Sequence, residues 1–142
     1  MAECEERELL AWDGRSLAGC LHDFQRDSDV LCALIVEDNG AILAKVATDM
    51  NCDIDTLGVF SSMVFATSKM LVKELSTEGK VMGWITIGED YHLLVMSITA
   101  KVALVTLGRK SFAKGLLEYQ ARALAPRIVN CLTRPTTENG EC

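Results

Sequence analysis

The segment from Val30 to Val46, VLCALIVEDNGAILAKV, constrains the fold most strongly, because two apolar runs meet within it at Asn39-Gly40. Asn and Gly both tolerate a positive φ angle, so this dipeptide predicts a tight turn between two antiparallel strands. We place these strands at about residues 30–37 and 41–47. The hairpin that they form is the element around which the other predicted elements are arranged.

The first strand is apolar at both of its alternating sets of positions. One set is Val30, Cys32, Leu34 and Val36, and the other is Leu31, Ala33 and Ile35. Successive side chains of a strand point to opposite faces, so both faces of this strand must be covered. The rest of the chain is therefore expected to supply helices for two sides of a sheet, and further strands beside this pair.

The composition indicates a single globular domain that does not bind polyanions. The chain has 142 residues, of which 49% are hydrophobic and 24% are charged, and this is enough for one substantial core. The formal net charge of −6 would repel phosphate backbones and anionic lipids, and we find no basic patch. We therefore expect no nucleic acid partner.

The amino terminus, the apolar runs and the cysteines bear on the cellular compartment. The opening MAECEERELLAW is acidic and lacks the positive charge and the unbroken apolar stretch of a secretory signal. No window approaches the length of a membrane span, so we expect a cytoplasmic protein with no direct membrane insertion. The six cysteines show no Cys-x-x-Cys spacing typical of zinc sites and are interpreted as cytosolic thiols.

Periodicity and turn residues predict three helices and three further strands around the hairpin. We expect an amino-terminal extension at residues 1–13, a folded domain at 14–132 and a disordered tail at 133–142. Besides the hairpin, the predicted elements are helices at about 14–26, 55–77 and 113–132 and strands at Lys80–Gly88, Tyr91–Ser97 and Val102–Leu107.

Three features of these helices carry further predictions. Asp13 is the predicted cap of the first helix, and either Asp53 or Asp55 caps the second, because a carboxylate can accept hydrogen bonds from the first backbone amides. Pro126 should kink or split the last helix, since it lacks an amide donor and crowds the preceding turn.

The middle helix carries two stripes of apolar or small residues. The first stripe has helical periodicity and consists of Phe60, Met63, Val64, Thr67, Met70, Leu71, Glu74 and Leu75. The second stripe consists of the small residues Gly58, Ser62 and Ala66, spaced by four. Small residues would let another helix approach closely, but the same positions could instead face solvent or the sheet.

One loop begins like a calcium-binding site. Asp49, Asn51 and Asp53 have the alternation that opens an EF-hand loop. The match then fails, because Ile54 stands where Gly is required and Phe60 where the bidentate Glu belongs. The acidic residues are better explained as caps of the following helix, and we expect no metal site.

Residues suited to catalysis are few and scattered. Gly108-Arg109-Lys110-Ser111 lacks the glycine before the lysine and the upstream glycine of a phosphate-binding loop. The two histidines, His22 and His92, lie far apart with no nucleophile motif beside them, so surface or interface positions are expected for both. We predict no catalytic residues and no cofactor.

The element order and three segments together resemble the roadblock family, the dynein light-chain roadblock proteins and their bacterial and archaeal relatives. The segments are ALIVEDNGAILAKV in the hairpin, DIDTLGVFSSMVFATSKMLVKEL in the middle helix and KGLLEYQARALAPRI in the last helix. The resemblance covers about residues 15–130. It implies an α/β fold, an α+β sandwich in which a five-stranded antiparallel sheet carries the middle helix on one face and the two outer helices on the other.

The resemblance also implies a homodimer, since family members commonly pair the third strand and the middle helix with those of a second copy. The implied interface positions are Gly58, Ser62, Ala66, Met82, Trp84 and Ile85. Met82 and Trp84 share one face of the third strand, and packing against a helix of their own chain explains them equally well.

The function that the resemblance implies is that of a non-enzymatic regulator, which binds a Ras-like small GTPase and modulates its nucleotide cycle. Arg109, after the last strand, is the candidate partner contact, although we expect no inserted arginine finger. A structural adaptor of a motor or membrane-associated complex is the alternative, and a small-ligand sensor is a third.

Overall fold

A computed structural model describes residues 16–48, 53–75 and 80–132. Within these ranges the elements are α1 (Leu17–Asp27), β1 (Cys32–Glu37), β2 (Ile42–Ala47), α2 (Ile54–Glu74), β3 (Met82–Ile87), β4 (Tyr91–Ser97), β5 (Val102–Arg109) and α3 (Lys114–Leu132). The predicted element order is confirmed. The predicted extension at 1–13, the cap Asp13, the calcium-like residues Asp49 and Asn51, and the predicted tail at 133–142 lie outside the described residues.

The five strands form one antiparallel sheet in the order β2-β1-β5-β4-β3. The turn between β1 and β2 is built as the sequence predicts: Gly40 has a φ of 98°, and Asn39 Oδ1 accepts a hydrogen bond from the Ala41 amide at 3.0 Å. In β2, Leu43 has no partner in β1, so this edge strand carries a bulge. The other edge of the sheet is β3.

The sheet separates two buried clusters, which confirms that both of its faces are covered. Ala33 and Ile35 of β1 face α1 and α3, while Cys32, Leu34 and Val36 face α2. On the α1 and α3 side the helices contribute Cys20, Leu21, Phe24, Leu117, Ala121, Leu124 and Ile128. Val30 breaks the predicted alternation and joins this cluster, because the strand begins only at Cys32.

The caps differ in part from the sequence prediction. Helix α1 begins at Leu17 rather than at residue 14, because the Ser16 side chain accepts a hydrogen bond from the Gly19 amide at 3.0 Å. Asp53, not Asp55, caps α2 and accepts hydrogen bonds from the amides of Asp55 and Thr56. The hydrogen bonds from Thr56 hold the pKa of Asp53 below its ordinary value.

Pro126 was expected to kink or split the last helix, and it does not split it. Helix α3 continues from Lys114 to Leu132 with Pro126 inside it. The proline is exposed, whereas Leu124 and Ile128 on either side of it are buried against the sheet. Burial on both sides of the proline holds the helix together, although one backbone hydrogen bond is missing.

One lysine fastens α2 to two turns of the sheet. Lys69 Nζ lies 2.5 Å from Asp38 Oδ2 in the turn between β1 and β2, and 2.7 Å from the carbonyl oxygen of Ala100 between β4 and β5. The ammonium also lies 4.9 Å from the centroid of the Phe65 ring. The hydrogen bond from Lys69 holds the pKa of Asp38 below its ordinary value.

We expect the free energy of unfolding to fall less steeply with decreasing pH in Asp38→Asn than in the wild-type chain. Because the native pKa of Asp38 lies below its ordinary value of 3.8, the unfolded chain takes up this proton first as the pH falls. The stabilisation is complete well above pH 3.8 and is lost as the pH falls through the native pKa. Urea midpoints from neutral pH down to about pH 3 measure it. Asp29→Asn, in the exposed link after α1, is the control. If the urea midpoint changes with pH equally in the two variants, the prediction is contradicted.

Candidate functional site

The outward side of α2 is apolar over most of its length. Its exposed large residues, which we call the α2 apolar face, are Val59, Phe60, Met63, Met70, Leu71 and Leu75. Their exposed fractions range from 47% for Phe60 to 69% for Met70. The span from Val59 to Leu75 is about 24 Å at 1.5 Å per residue. Exposed Thr67 and Glu74 stand among these side chains. So many large apolar residues exposed along one side of a helix are typical of an interaction site.

The small-residue stripe lies on the inward side of the same helix. Gly58 and Ser62 are buried, and a Cβ atom at Gly58 would overlap the Ile42 side chain of β2. Ala66 is partly buried. The small residues therefore face the sheet, which is the alternative explanation given above. Their small size brings α2 close enough to the sheet for Phe65 to be fully buried. The large apolar side chains of α2 are thereby left facing outward.

The side chains of β3 pack on both sides of the edge strand within the chain itself. Met82 and Trp84 are partly buried against the cluster that includes α3, and Ile85 packs against the cluster that includes α2. Trp84 Nε1 donates a hydrogen bond to Glu118, and Lys114 Nζ lies 5.5 Å from the Trp84 ring centroid. Met82 and Trp84 therefore pack against a helix of their own chain, which is one of the two explanations given above.

His92 packs against Trp84 and is buried within the chain, whereas a surface or interface position was expected for it. It is 6% exposed, and its ring meets that of Trp84 edge to face at 6.0 Å between centroids. Nδ1 has no hydrogen-bond partner among the described residues. Burial, with a smaller contribution from Lys114 and Lys110, lowers the pKa of His92 and favours the neutral imidazole. The residue is a packing element of the sheet.

Arg109 ends β5 and is exposed. The alternation of β5 places it on the same side of the sheet as Leu107, which packs in the cluster that includes α2. The turn that follows is held by two backbone hydrogen bonds, from Phe112 to the Arg109 carbonyl at 2.9 Å and from Lys110 to the Asp90 carbonyl at 2.7 Å. A partner bound across the sheet end could reach this guanidinium.

Over residues 16–48, 53–75 and 80–132, the His, Cys, Asp and Glu side chains form no group of three that could hold a metal ion. In the same described ranges, no helix is long and apolar enough to cross a bilayer. The features that remain as a candidate site are the α2 apolar face, the open edge of β3 and the exposed Arg109.

The arrangement of sheet and helices matches solved structures. MglB of Myxococcus xanthus superposes with a TM-score of 0.73 at 15% sequence identity, over 81% of this chain and 93% of that one. A Roadblock/LC7 domain from Streptomyces avermitilis gives a TM-score of 0.71 at 12% identity, over 84% of this chain and 99% of that one. This chain adopts the roadblock fold. A gliding protein MglB from Thermus thermophilus gives a TM-score of 0.66 at 18% identity, over 79% and 84% of the two chains.

Neither a protein-family model nor a curated protein matches the sequence. With identities this low, the roadblock likeness establishes the architecture and leaves the partners to be inferred from the chain's own surfaces. The roadblock resemblance read from three short segments is confirmed at the level of the fold.

Sequence reasoning detected the large apolar stripe of α2 but did not identify it as the outward surface. It also missed Lys69, because the two oxygens that Lys69 binds belong to turns 31 residues away on either side. A lysine within a mostly apolar helical segment, together with an acidic residue in the turn of the preceding hairpin, was the available signal. The periodicity of a helix does not say which oxygen such a lysine reaches.

Proposed function

We propose that this protein is a non-enzymatic regulator that acts as a homodimer and binds a Ras-like small GTPase. The observation that carries the proposal is the α2 apolar face, together with an edge strand that is open among the described strands, on a roadblock fold. Such a surface is suited to assembly rather than to chemistry, because what it offers a partner is apolar area and unpaired backbone groups.

The dimer would form by pairing β3 with β3 of a second copy while the two α2 helices meet. Among the described strands, β3 is hydrogen-bonded to β4 alone, so its outer row of amides and carbonyls is available to a partner. An antiparallel pair of identical edges obeys two-fold symmetry, which is the commonest symmetry of protein dimers. In this arrangement Met82 and Trp84 contribute backbone hydrogen bonds, because the backbone groups of Ile85 point toward β4 and Ile85 can contribute only its side chain. The α2 apolar face supplies most of the buried area.

The GTPase partner rests on the resemblance of the sequence to the roadblock family. We propose that the dimer binds the GTP-loaded state and biases the switch segments of the GTPase, so that hydrolysis uses the partner's own groups. Arg109 would contribute an exposed charge at the end of the sheet without entering the nucleotide site. A contact of this kind changes affinity, whereas an inserted arginine contributes about 10³ to 10⁵ in rate.

The test titrates the full chain against each Ras-like GTPase of the same organism, loaded with GDP or with a non-hydrolysable GTP analogue. We expect binding to the GTP state to be at least about tenfold tighter, a coupling of about 1.4 kcal/mol. Arg109→Ala should weaken binding by less than about tenfold and leave most of any stimulated hydrolysis in place. Arg26→Ala, at an exposed position of α1, is the matched control.

Two outcomes would overturn parts of this proposal. If Arg109→Ala keeps full binding while stimulated hydrolysis falls by about a thousandfold, Arg109 is an arginine finger. If no GTPase binds preferentially in either state, the regulator role is wrong, and the protein acts as an adaptor that leaves nucleotide turnover unchanged.

A further inference from the structure

Two cysteines that are remote in the sequence lie in contact where α1 crosses α3. Cys20 Sγ and Cys131 Sγ are 3.7 Å apart, although 111 residues separate them in the chain. Cys20 is fully buried, and Cys131 is half-buried. The contact belongs to a seam that also holds the ion pair of Arg127 with Asp23, at 2.8 Å.

We propose that Cys20 and Cys131 are the site of a reversible disulfide that cross-links α1 to α3. A disulfide requires the sulfurs to lie about 2.05 Å apart, so they must approach by roughly 1.7 Å. Rotation of a cysteine side chain about χ1 moves its sulfur by more than this distance. No rearrangement of the sheet or of the helix order is needed.

The different surroundings of the two thiols fix the order of the chemistry. Burial, with the neighbouring Cys131 as the next cause, raises the pKa of Cys20 to about 11, so its thiolate is scarce at neutral pH. Cys131 is half-buried, so of the two thiols it is the one more open to an oxidant in solution. It is therefore the residue expected to react first, and Cys20 is the resolving residue.

The oxidant in this scheme is hydrogen peroxide. The Cys131 thiolate attacks one peroxide oxygen, the O–O bond breaks, and sulfenic acid and hydroxide form, with the hydroxide taking up a proton to give water. The Cys20 sulfur then attacks the Cys131 sulfur. The S–O bond breaks, and the leaving hydroxide takes the Cys20 proton as a second water. Two thiols have lost two electrons, and one peroxide has been reduced to two waters.

The cross-link would stabilise the fold strongly because of the length of chain that it closes. It joins the first described helix to the last, so the loop includes the whole sheet and α2. Long loops give the largest loss of entropy in the unfolded chain. The seam lies on the face of the sheet opposite α2, so the cross-link leaves the α2 apolar face unchanged. The two proposals can therefore succeed or fail independently.

The experiment treats the full chain with hydrogen peroxide and maps its peptides by mass spectrometry without reduction. A second sample carries Cys4→Ser, Cys52→Ser and Cys142→Ser, so that only Cys20, Cys32 and Cys131 remain to pair. We expect one disulfide-linked peptide pair, containing Cys20 and Cys131. We also expect a rise in Tm of about 10 °C that dithiothreitol reverses.

Single substitutions in the second sample separate the disulfide from general oxidation. Cys131→Ser, at the half-buried position, should abolish both the linked peptide and the rise in Tm. Cys32→Ser is the matched control, because Cys32 is a buried thiol on the α2 side of the sheet, and it should leave both results unchanged. Linkage through Cys32, or Cys131 oxidised to sulfinic acid with no linked peptide, would overturn the proposal.

Discussion

Met63→Glu should turn the proposed dimer into a monomer. Met63 is 63% exposed within the α2 apolar face, so in a two-fold interface each copy would bury one new carboxylate. A buried charge without a partner costs several kcal/mol, and two such charges should raise the dissociation constant by at least about a thousandfold. Light scattering on a sizing column at micromolar concentration would record the loss of the dimer.

The control for this substitution is Leu116→Glu. Leu116 is an apolar residue of α3 that is 50% exposed, so the change of side chain is similar, but it lies on the opposite side of the sheet from α2. We expect this variant to remain dimeric. A wild-type chain that runs as a monomer, or a Met63→Glu chain that stays dimeric with a normal circular dichroism spectrum, would show that α2 is not the interface.

Phe65→Ala should be the most destabilising single substitution of α2. The Phe65 side chain is fully buried between the helix and the sheet, and it forms part of the cluster with Leu34, Leu93 and Val105. Truncation removes its buried apolar area and leaves a cavity that a packed sheet cannot close. The expected loss is about 3–5 kcal/mol of the free energy of unfolding, a large share of the stability of a domain of this size.

The same helix supplies the control for this measurement. Phe60 is 47% exposed on the outward side, so Phe60→Ala makes the same chemical change where no cavity results. Both substitutions are compared by urea unfolding in the Met63→Glu chain, because there the dimer does not add to the measured stability. We expect Phe60→Ala to cost less than about 1 kcal/mol. Equal losses for the two variants would mean that α2 is rotated from the orientation described.

The features that the sequence predicted well are those that are encoded locally. Asn39-Gly40 fixes the hairpin because its backbone conformation depends on two residues, and the doubly apolar β1 implies two covered faces whatever covers them. Helical spacing in the last helix predicts one stripe through Leu117, Gln120 or Ala121, Leu124, Ile128 and Cys131. Leu117, Ala121, Leu124 and Ile128 are buried, and Cys131 is half-buried. These predictions needed no knowledge of distant contacts.

The candidate site was harder to predict, because α2 is apolar or small on both of its sides. Periodicity locates the stripe through Met63 and Met70, but it does not say whether the sheet lies beneath that stripe or beneath Gly58 and Ser62. The choice is made by packing with β2, where Ile42 occupies the space that a Cβ at Gly58 would need. The Cys20 and Cys131 contact is likewise invisible in the sequence, since nothing local relates positions 111 residues apart.

The bulge in β2 has a consequence for how far such a sheet can grow. Two chains joined through β3 would present β2 at each end of a ten-stranded sheet, since the described part of each chain forms a sheet of five strands and β2 is its other edge. The unpaired Leu43 interrupts the regular row of hydrogen-bonding groups, and an irregular edge is a poor template for another strand. In the proposed dimer, edge-to-edge addition would therefore stop after two copies, and the difference between the two edges would protect the protein against open-ended fibre formation.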